Sequence, residues 1–283
     1  MLLQILLISI LIFSVYTSPL HKDIETTDKE SVEVVSETED IGEKSGIEST
    51  LDMELSNKKI GWGFKREKNA APYISAETKD LFKRFDSYYI GNESEKVLYL
   101  TFDEGYENGY TGKILDALKE HDVPAAFFIT GPYLDKETEL VRRMIDEGHI
   151  VGNHTINHPS MPDITDDTKF QNELNNLTQN FKEIFNTDMK YFRPPMGEYS
   201  ERSLYLTQKI GYKSIFWSSA YVDYSRENFG TDENAYNMIT SQFHNGSIIL
   251  LHAVSPVNAN VLPRIIEQAK SEGYVFQSLD FLN

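Results

Sequence analysis

Between residues 97 and 276, short apolar runs alternate with segments of helical periodicity, and that alternation admits few folds. The strongest unit is Val97-Leu98-Tyr99-Leu100-Thr101-Phe102-Asp103-Glu104-Gly105. Its bulky and β-branched residues read as a buried strand, and Gly105 supplies a breaker where the strand stops. Thr111 is placed to N-cap a helix from Gly112 to about His121, with Ile114, Leu115 and Leu118 on one face. Further strands are read at Ala125–Thr130, His149–Val151, Lys190–Phe192, Lys213–Ser218, Ser247–Leu251 and Tyr274–Phe276. Helices are read at Glu137–Glu147, Thr168–Phe185, Ser203–Ile210 and Leu262–Ser271. Such alternation predicts an α/β fold with a mainly parallel sheet. About seven units suit a barrel smaller than an eightfold one.

The termini of this region are marked by composition. Leu2 to Tyr16 is almost unbroken apolar sequence, too short for a membrane span and suited to the core of an export signal. Residues 1–17 therefore read as a signal peptide or an N-terminal anchor, with Thr17-Ser18 as small residues for cleavage. From His21 to Asn57 acidic residues dominate and aromatics are absent, so residues 18–57 cannot bury enough surface to offset their ordering entropy and read as a disordered linker. Globular composition begins at Lys58, giving a folded domain over 58–283. In it Trp62-Gly63-Phe64 and Tyr73 form an ordered strap, and Ala76 to Phe85 a short amphipathic helix. The net charge of −17 argues against a nucleic-acid partner. The absence of cysteine excludes disulfides, thiolate nucleophiles and Cys-ligated zinc, so any metal falls to His, Asp or Glu.

In parallel α/β folds chemistry collects at strand C-termini, and the chemically able residues of this chain sit there. Asp103 and Glu104 end the first strand. His154 and His158 follow the third, four apart on one side of a helical turn, close enough to share a divalent cation. Two His and a carboxylate with open positions are the ligand set of a hydrolytic metal centre. Arg193-Pro194-Pro195 ends the fourth strand, the prolines fixing where the guanidinium points. After the fifth, Asp223 is placed to orient a histidine, and Trp217 and Tyr224 to line a sugar-binding groove. His252 ends the sixth as an acid–base residue. Taken singly, each admits a plainer reading as solvated loop, surface histidine, rigid turn or aromatic core.

Thr101-Phe102-Asp103-Glu104-Gly105, the His154 and His158 pair, Arg193-Pro194-Pro195, Asp223-Tyr224 and Leu250-Leu251-His252 resemble, in order and spacing, the five motifs of polysaccharide deacetylases. These are the carbohydrate esterases related to the nodulation chitooligosaccharide deacetylase, and the match runs over residues 95–280. Ile60 to Phe64, Gly105 to Thr111 and Phe216 to Tyr224 further resemble the branch making muramic δ-lactam in spore peptidoglycan. The resemblance implies a distorted (β/α) barrel with a groove across its rim. It implies a divalent cation, zinc being the expected ion, held by His154, His158 and Glu104. Asp103 becomes the general base restrained by Arg193, and His252 the general acid oriented by Asp223. The backbone N–H of Met196 meets the oxyanion. The partner implied is an N-acetylated cell-wall glycan, and the site of action is the cell envelope or beyond, with N-terminal membrane association where the leader is retained.

Four positions depart from the family pattern. Glu104 stands where Asp is usual, its extra methylene moving the carboxylate out by on the order of 1.5 Å. Met196 stands where an aromatic residue or, in the lactam branch, Arg is found, and an apolar side chain cannot pair with a lactyl carboxylate. Ala220 replaces an Asp, and Tyr224 a Trp. Two function classes follow: a metal-dependent amide hydrolase of cell-wall glycan, with chitin-type or xylan-type substrates as the alternative to peptidoglycan, and a non-catalytic glycan-binding relative. Base, acid and both orienting partners are retained together, which favours the enzyme.

Overall fold

The computed structural model describes residues 55–67, 70–224 and 230–282, so the expected leader and nearly all of the expected linker lie outside the described residues. The described chain begins with β1 (Ile60–Gly61), a hairpin of β2 (Lys65–Glu67) and β3 (Ala70–Tyr73), α1 (Ala76–Arg84) and β4 (Ser87–Tyr88). The strand–helix units follow: β5 (Val97–Glu104), α2 (Thr111–Glu120), β6 (Ala125–Ile129), α3 (Gly131–Lys136), α4 (Thr138–Asp146), β7 (Ile150–Asn153), α5 (Asp167–Phe185) and β8 (Tyr191–Phe192). The remainder is β9 (Glu198–Tyr199), α6 (Glu201–Ile210), β10 (Lys213–Ile215), β11 (Ser219–Ala220), α7 (Asp232–Thr240), β12 (Ser247–His252), α8 (Pro256–Ser271) and β13 (Val275–Phe276).

The main sheet runs β11-β12-β5-β6-β7-β8-β10-β4, and β13 pairs with β5 off this path. All of its strand pairings are parallel. Past β4, Ile90 bridges Ser247 in antiparallel sense and the Gly91 N–H donates to Gly246 O at 2.8 Å, which draws the β4 end of the path back onto β12. The sheet is thereby curled into the distorted α/β barrel that the alternation predicts.

Period-two alternation along each strand divides the core in two. Leu98, Leu100 and Phe102 of β5 join the large cluster under the helices, together with Phe127, Phe192, Ile249 and Leu251. Val97 and Tyr99 face the barrel interior with Phe128, Tyr191 and Ile248. All eight residues of β5 are buried, as a central strand covered on both faces must be.

Several local readings are corrected. Thr111 is the first residue of α2 and Tyr110 holds the cap position without a side-chain bond. The Glu107 carboxylate supplies the cap, accepting from the Thr111 N–H at 3.4 Å and bonding the Gly109 N–H and the Thr111 hydroxyl. The helix read at Glu137–Glu147 is α4, preceded by a separate short helix α3. The last helix starts at Pro256 because Ser255 caps it and proline suits the first helical position. β4, β11 and α7 carry too little periodicity to be read from the sequence and are added here.

Candidate active site

The interior face sets the site. Continuing the alternation past Val97, Tyr99 and Thr101 brings Asp103 into the barrel mouth, and the same parity delivers His154 after β7, Arg193 after β8 and His252 at the end of β12. His252 and Asp103 are direct partners across the β12–β5 pairing. Glu104 has the opposite parity, that of Leu98, Leu100 and Phe102.

Arg193 is the hub. It is fully buried, with its guanidinium 4.2 Å above the Phe128 ring. It donates to Asp103 Oδ1 at 2.8 Å, Thr101 Oγ1 at 2.9 Å and the Ile215 carbonyl at 3.0 Å. A buried cation with this many acceptors keeps its charge and one orientation. Burial works to raise the Asp103 pKa, but Arg193, His154 and His252 outweigh it and hold the carboxyl below its usual range. Asp103 is therefore a carboxylate at neutral pH.

The two histidines come together through a loop and not through the helical turn expected from their spacing. Thr155 and His158 both adopt left-handed backbone, φ 71° and 57°, an unusual demand on a β-branched threonine. Asn153 Oδ1 accepts from the Thr155 N–H and Thr155 Oγ1 from the His158 N–H, each at 2.8 Å, which holds the loop in that shape. The rings lie 4.8 Å apart between centroids. His154 Nδ1 donates to the Arg193 carbonyl at 2.7 Å, leaving Nε2 with a lone pair 3.7 Å from Asp103 Oδ2. Burial drives the His154 pKa down to about 4, and burial likewise lowers that of His158, so both are neutral and able to ligate.

Glu104 does not join them. It is fully buried, and among the described residues neither carboxylate oxygen has a hydrogen-bond partner. Burial, then the nearby Glu107 and Asp103 charges, raises its pKa well above the carboxylate range. Among the described residues no three His, Asp or Glu side chains are grouped closely enough to hold a metal ion. The two imidazoles are in the neutral form that ligates a divalent metal, while the carboxylate expected to complete the set is not grouped with them.

On the far side of the rim Asp223, fully buried, accepts from the His252 ring Nδ1 at 2.7 Å and from its backbone N–H at 2.8 Å. Burial works against a charged imidazole, but these Asp223 contacts outweigh it, and the His252 pKa is raised. Tyr224 is 58% exposed with its ring 5.5 Å from that of His252. Trp217 is half-buried and acts as a brace, its ring 5.6 Å from the Arg193 guanidinium. Met196 sits at φ 59° in the turn after Pro195, its side chain 55% exposed. That turn is held from outside the barrel: Trp62 N–H donates to Gly197 O at 2.8 Å, and Trp62 Nε1 to Trp217 O at 3.0 Å. Gly197 was not singled out from the sequence, and Thr101 and Trp62, quoted there only within a motif and a strap, turn out to hold Arg193 and the Met196 turn. Thr101 carried a further signal, by sharing the parity of Asp103.

A carboxylate with a lowered pKa and an imidazole with a raised one share a rim with two neutral imidazoles, the kinds of side chain that acid–base hydrolysis uses. The polysaccharide deacetylase family model matches residues 90–215. The chain is 43% identical over 230 residues to the peptidoglycan-N-acetylmuramic acid deacetylase PdaA of Bacillus subtilis, spanning 81% of this chain and 87% of that protein. It is 32% identical over 195 residues to a peptidoglycan-N-acetylglucosamine deacetylase of Bacillus cereus, spanning 68% and 70%. The solved structure of Bacillus subtilis PdaA, a family 4 carbohydrate esterase, matches with a TM-score of 0.78 at 41% identity over 81% of this chain and 98% of that one. This chain belongs to the polysaccharide deacetylase family.

Proposed function

We propose that this protein is a peptidoglycan N-deacetylase acting on N-acetylmuramic acid, on the route to muramic δ-lactam in spore cortex. The observation that carries the chemistry is the adjacency of Asp103 and His252 across two paired strands, one ionised and one protonated at the same pH. Water bound between them loses a proton to Asp103 as its oxygen attacks the acetyl carbonyl carbon. Arg193 keeps the Asp103 carboxylate in line for that transfer. The oxygen that becomes negative is met by the Met196 N–H. His252, held by Asp223, then gives its proton to the amide nitrogen as the C–N bond breaks. The products are acetate and a free amino sugar.

A divalent cation, for which we propose zinc, would be held by His154 and His158 and would supply Lewis-acid polarisation of the acetyl carbonyl. Tyr224 offers a face for the sugar ring. The muramic-acid reading is supported by the 43% identity to PdaA, whereas the exposed apolar side chain of Met196 offers nothing to a lactyl carboxylate. Among the described residues no helix is long and apolar enough to cross a membrane. Export, and any membrane tether, rests on residues 1–17. Acetate release is measured on stem-peptide-free muropeptide glycan and on chitooligosaccharide. Release from N-acetylmuramic acid is expected. Release only from N-acetylglucosamine would move the substrate, and glycan binding without turnover under any divalent metal would make the protein a binding relative.

A further inference from the structure

The acid half of the site contains a residue to which no role has yet been given. Asn258 is 1% exposed and lies in the first turn of α8. Its Nδ2 donates to Asp223 Oδ2 at 2.6 Å and to the His252 carbonyl at 3.1 Å. Its Oδ1 is the acceptor for the Tyr221 hydroxyl. Two acceptors on one side and a hydroxyl on the other leave only one orientation for the carboxamide. The Ser255 N–H also donates to the His252 carbonyl, at 3.4 Å, so the turn that caps α8 and the turn that carries His252 are one structure.

We propose that Asn258 is a positioning residue for the deacetylation. By bonding Asp223 and the His252 carbonyl together, it fixes the imidazole and limits how strongly Asp223 holds the ring proton. Asp223 accepts three bonds, two from His252 and one from Asn258. Each donor spreads the carboxylate charge. With the Asn258 bond gone, more of that charge acts on the imidazolium and water reaches the cavity, and both changes favour protonated His252. A general acid that holds its proton more tightly is a poorer donor. Tyr221 acts one step further out, since its hydroxyl polarises the carboxamide that bonds Asp223. The other groups facing His252 are Asp103, Arg193 and His158, with the Tyr224 ring beside it, and none of them touches Asn258.

This inference rests on the reading of His252 as general acid, and the test separates the two. kcat and KM are measured across pH for the full chain, for Asn258→Ala, Tyr221→Phe and His252→Ala, with an imidazole NMR titration of His252 in each of the first three. Asn258→Ala is expected to lower kcat by about tenfold or more with KM little changed, and to move the alkaline limb and the His252 titration upward. Tyr221→Phe should move both in the same direction by less, and it decides the matter where Asn258→Ala does not fold. A kcat loss with the limb and titration unmoved would reduce Asn258 to a packing residue and overturn the inference. So would wild-type behaviour of Asn258→Ala while His252→Ala is inactive. Full activity of His252→Ala would instead overturn the general-acid reading itself.

Discussion

The proposed mechanism needs a base that is ionised and an acid that is protonated at one pH, and Asp103 and His252 are brought toward those states by different partners. Asp103→Asn keeps the shape and loses the proton acceptor, and His252→Ala keeps the base and strands the amine as a poor leaving group. Each should lower kcat by about 10²–10⁴-fold with little change in KM, measured by acetate release. The sign of the pH dependence follows from the partner. Asp223 raises the His252 pKa, so the acid form is present below that raised value and is lost as pH climbs through it. The alkaline limb should therefore stand above the ordinary imidazole value of about 6.5, and Asp223→Asn should move it toward lower pH. Glu104 makes a different prediction. Because it lies on the helix side of β5 with both oxygens unpartnered, Glu104→Gln should leave metal stoichiometry unchanged, whereas His154→Ala and His158→Ala should each abolish it. Loss of metal in Glu104→Gln would show that the carboxylate turns toward the histidines on loading.

The turn that presents Met196 depends on elements distant in sequence. β1 pairs with β9, and the Trp62 ring packs among Phe82, Tyr89 and Phe216. Gly197 has φ 66°, and a Cβ there would stand 2.9 Å from the Trp217 ring and 3.0 Å from the Trp62 Cβ. Gly197→Ala should therefore cost more than about 1 kcal/mol in urea unfolding and reduce kcat while metal binding stays intact. The sequence exposed much of this level and concealed the rest for identifiable reasons. β5, β6 and β12 were legible because buried parallel strands are long apolar runs. β4 and β11, of two residues each, have no such signature. The five motifs were legible through the family resemblance. The helical turn assigned to the histidines failed because a spacing of four is compatible with a loop that uses left-handed backbone at Thr155 and His158. For Glu104 the sequence contained a contrary signal: residues adjacent in a strand face opposite ways, and Asp103 and Glu104 are adjacent in β5. Asn258 and Tyr221 were not legible, since their partners come from elements whose juxtaposition only the fold creates.

For the whole molecule, the contacts that tie down the N-terminal side start at the first described residues. Ser56 accepts from the Arg202 N–H at 3.1 Å, Asn57 Nδ2 donates to Pro162 O at 2.8 Å, and Leu55 packs against the cluster around Phe82. Removing residues 1–54 should accordingly leave the thermal midpoint and acetate release unchanged, and limited proteolysis should yield a stable fragment beginning near Leu55 to Lys58. A fall in midpoint on truncation would show that the preceding segment packs on the barrel. At this scale the position of Arg193 also has a consequence. Its guanidinium bonds Asp103 and its carbonyl bonds His154, so one residue of the chain is the shared anchor of the group proposed to take the proton and of the ring proposed to hold a metal. The two halves cannot drift apart or be adjusted one at a time. A displacement at either is passed to the other through one residue, from its side chain to its own main-chain carbonyl.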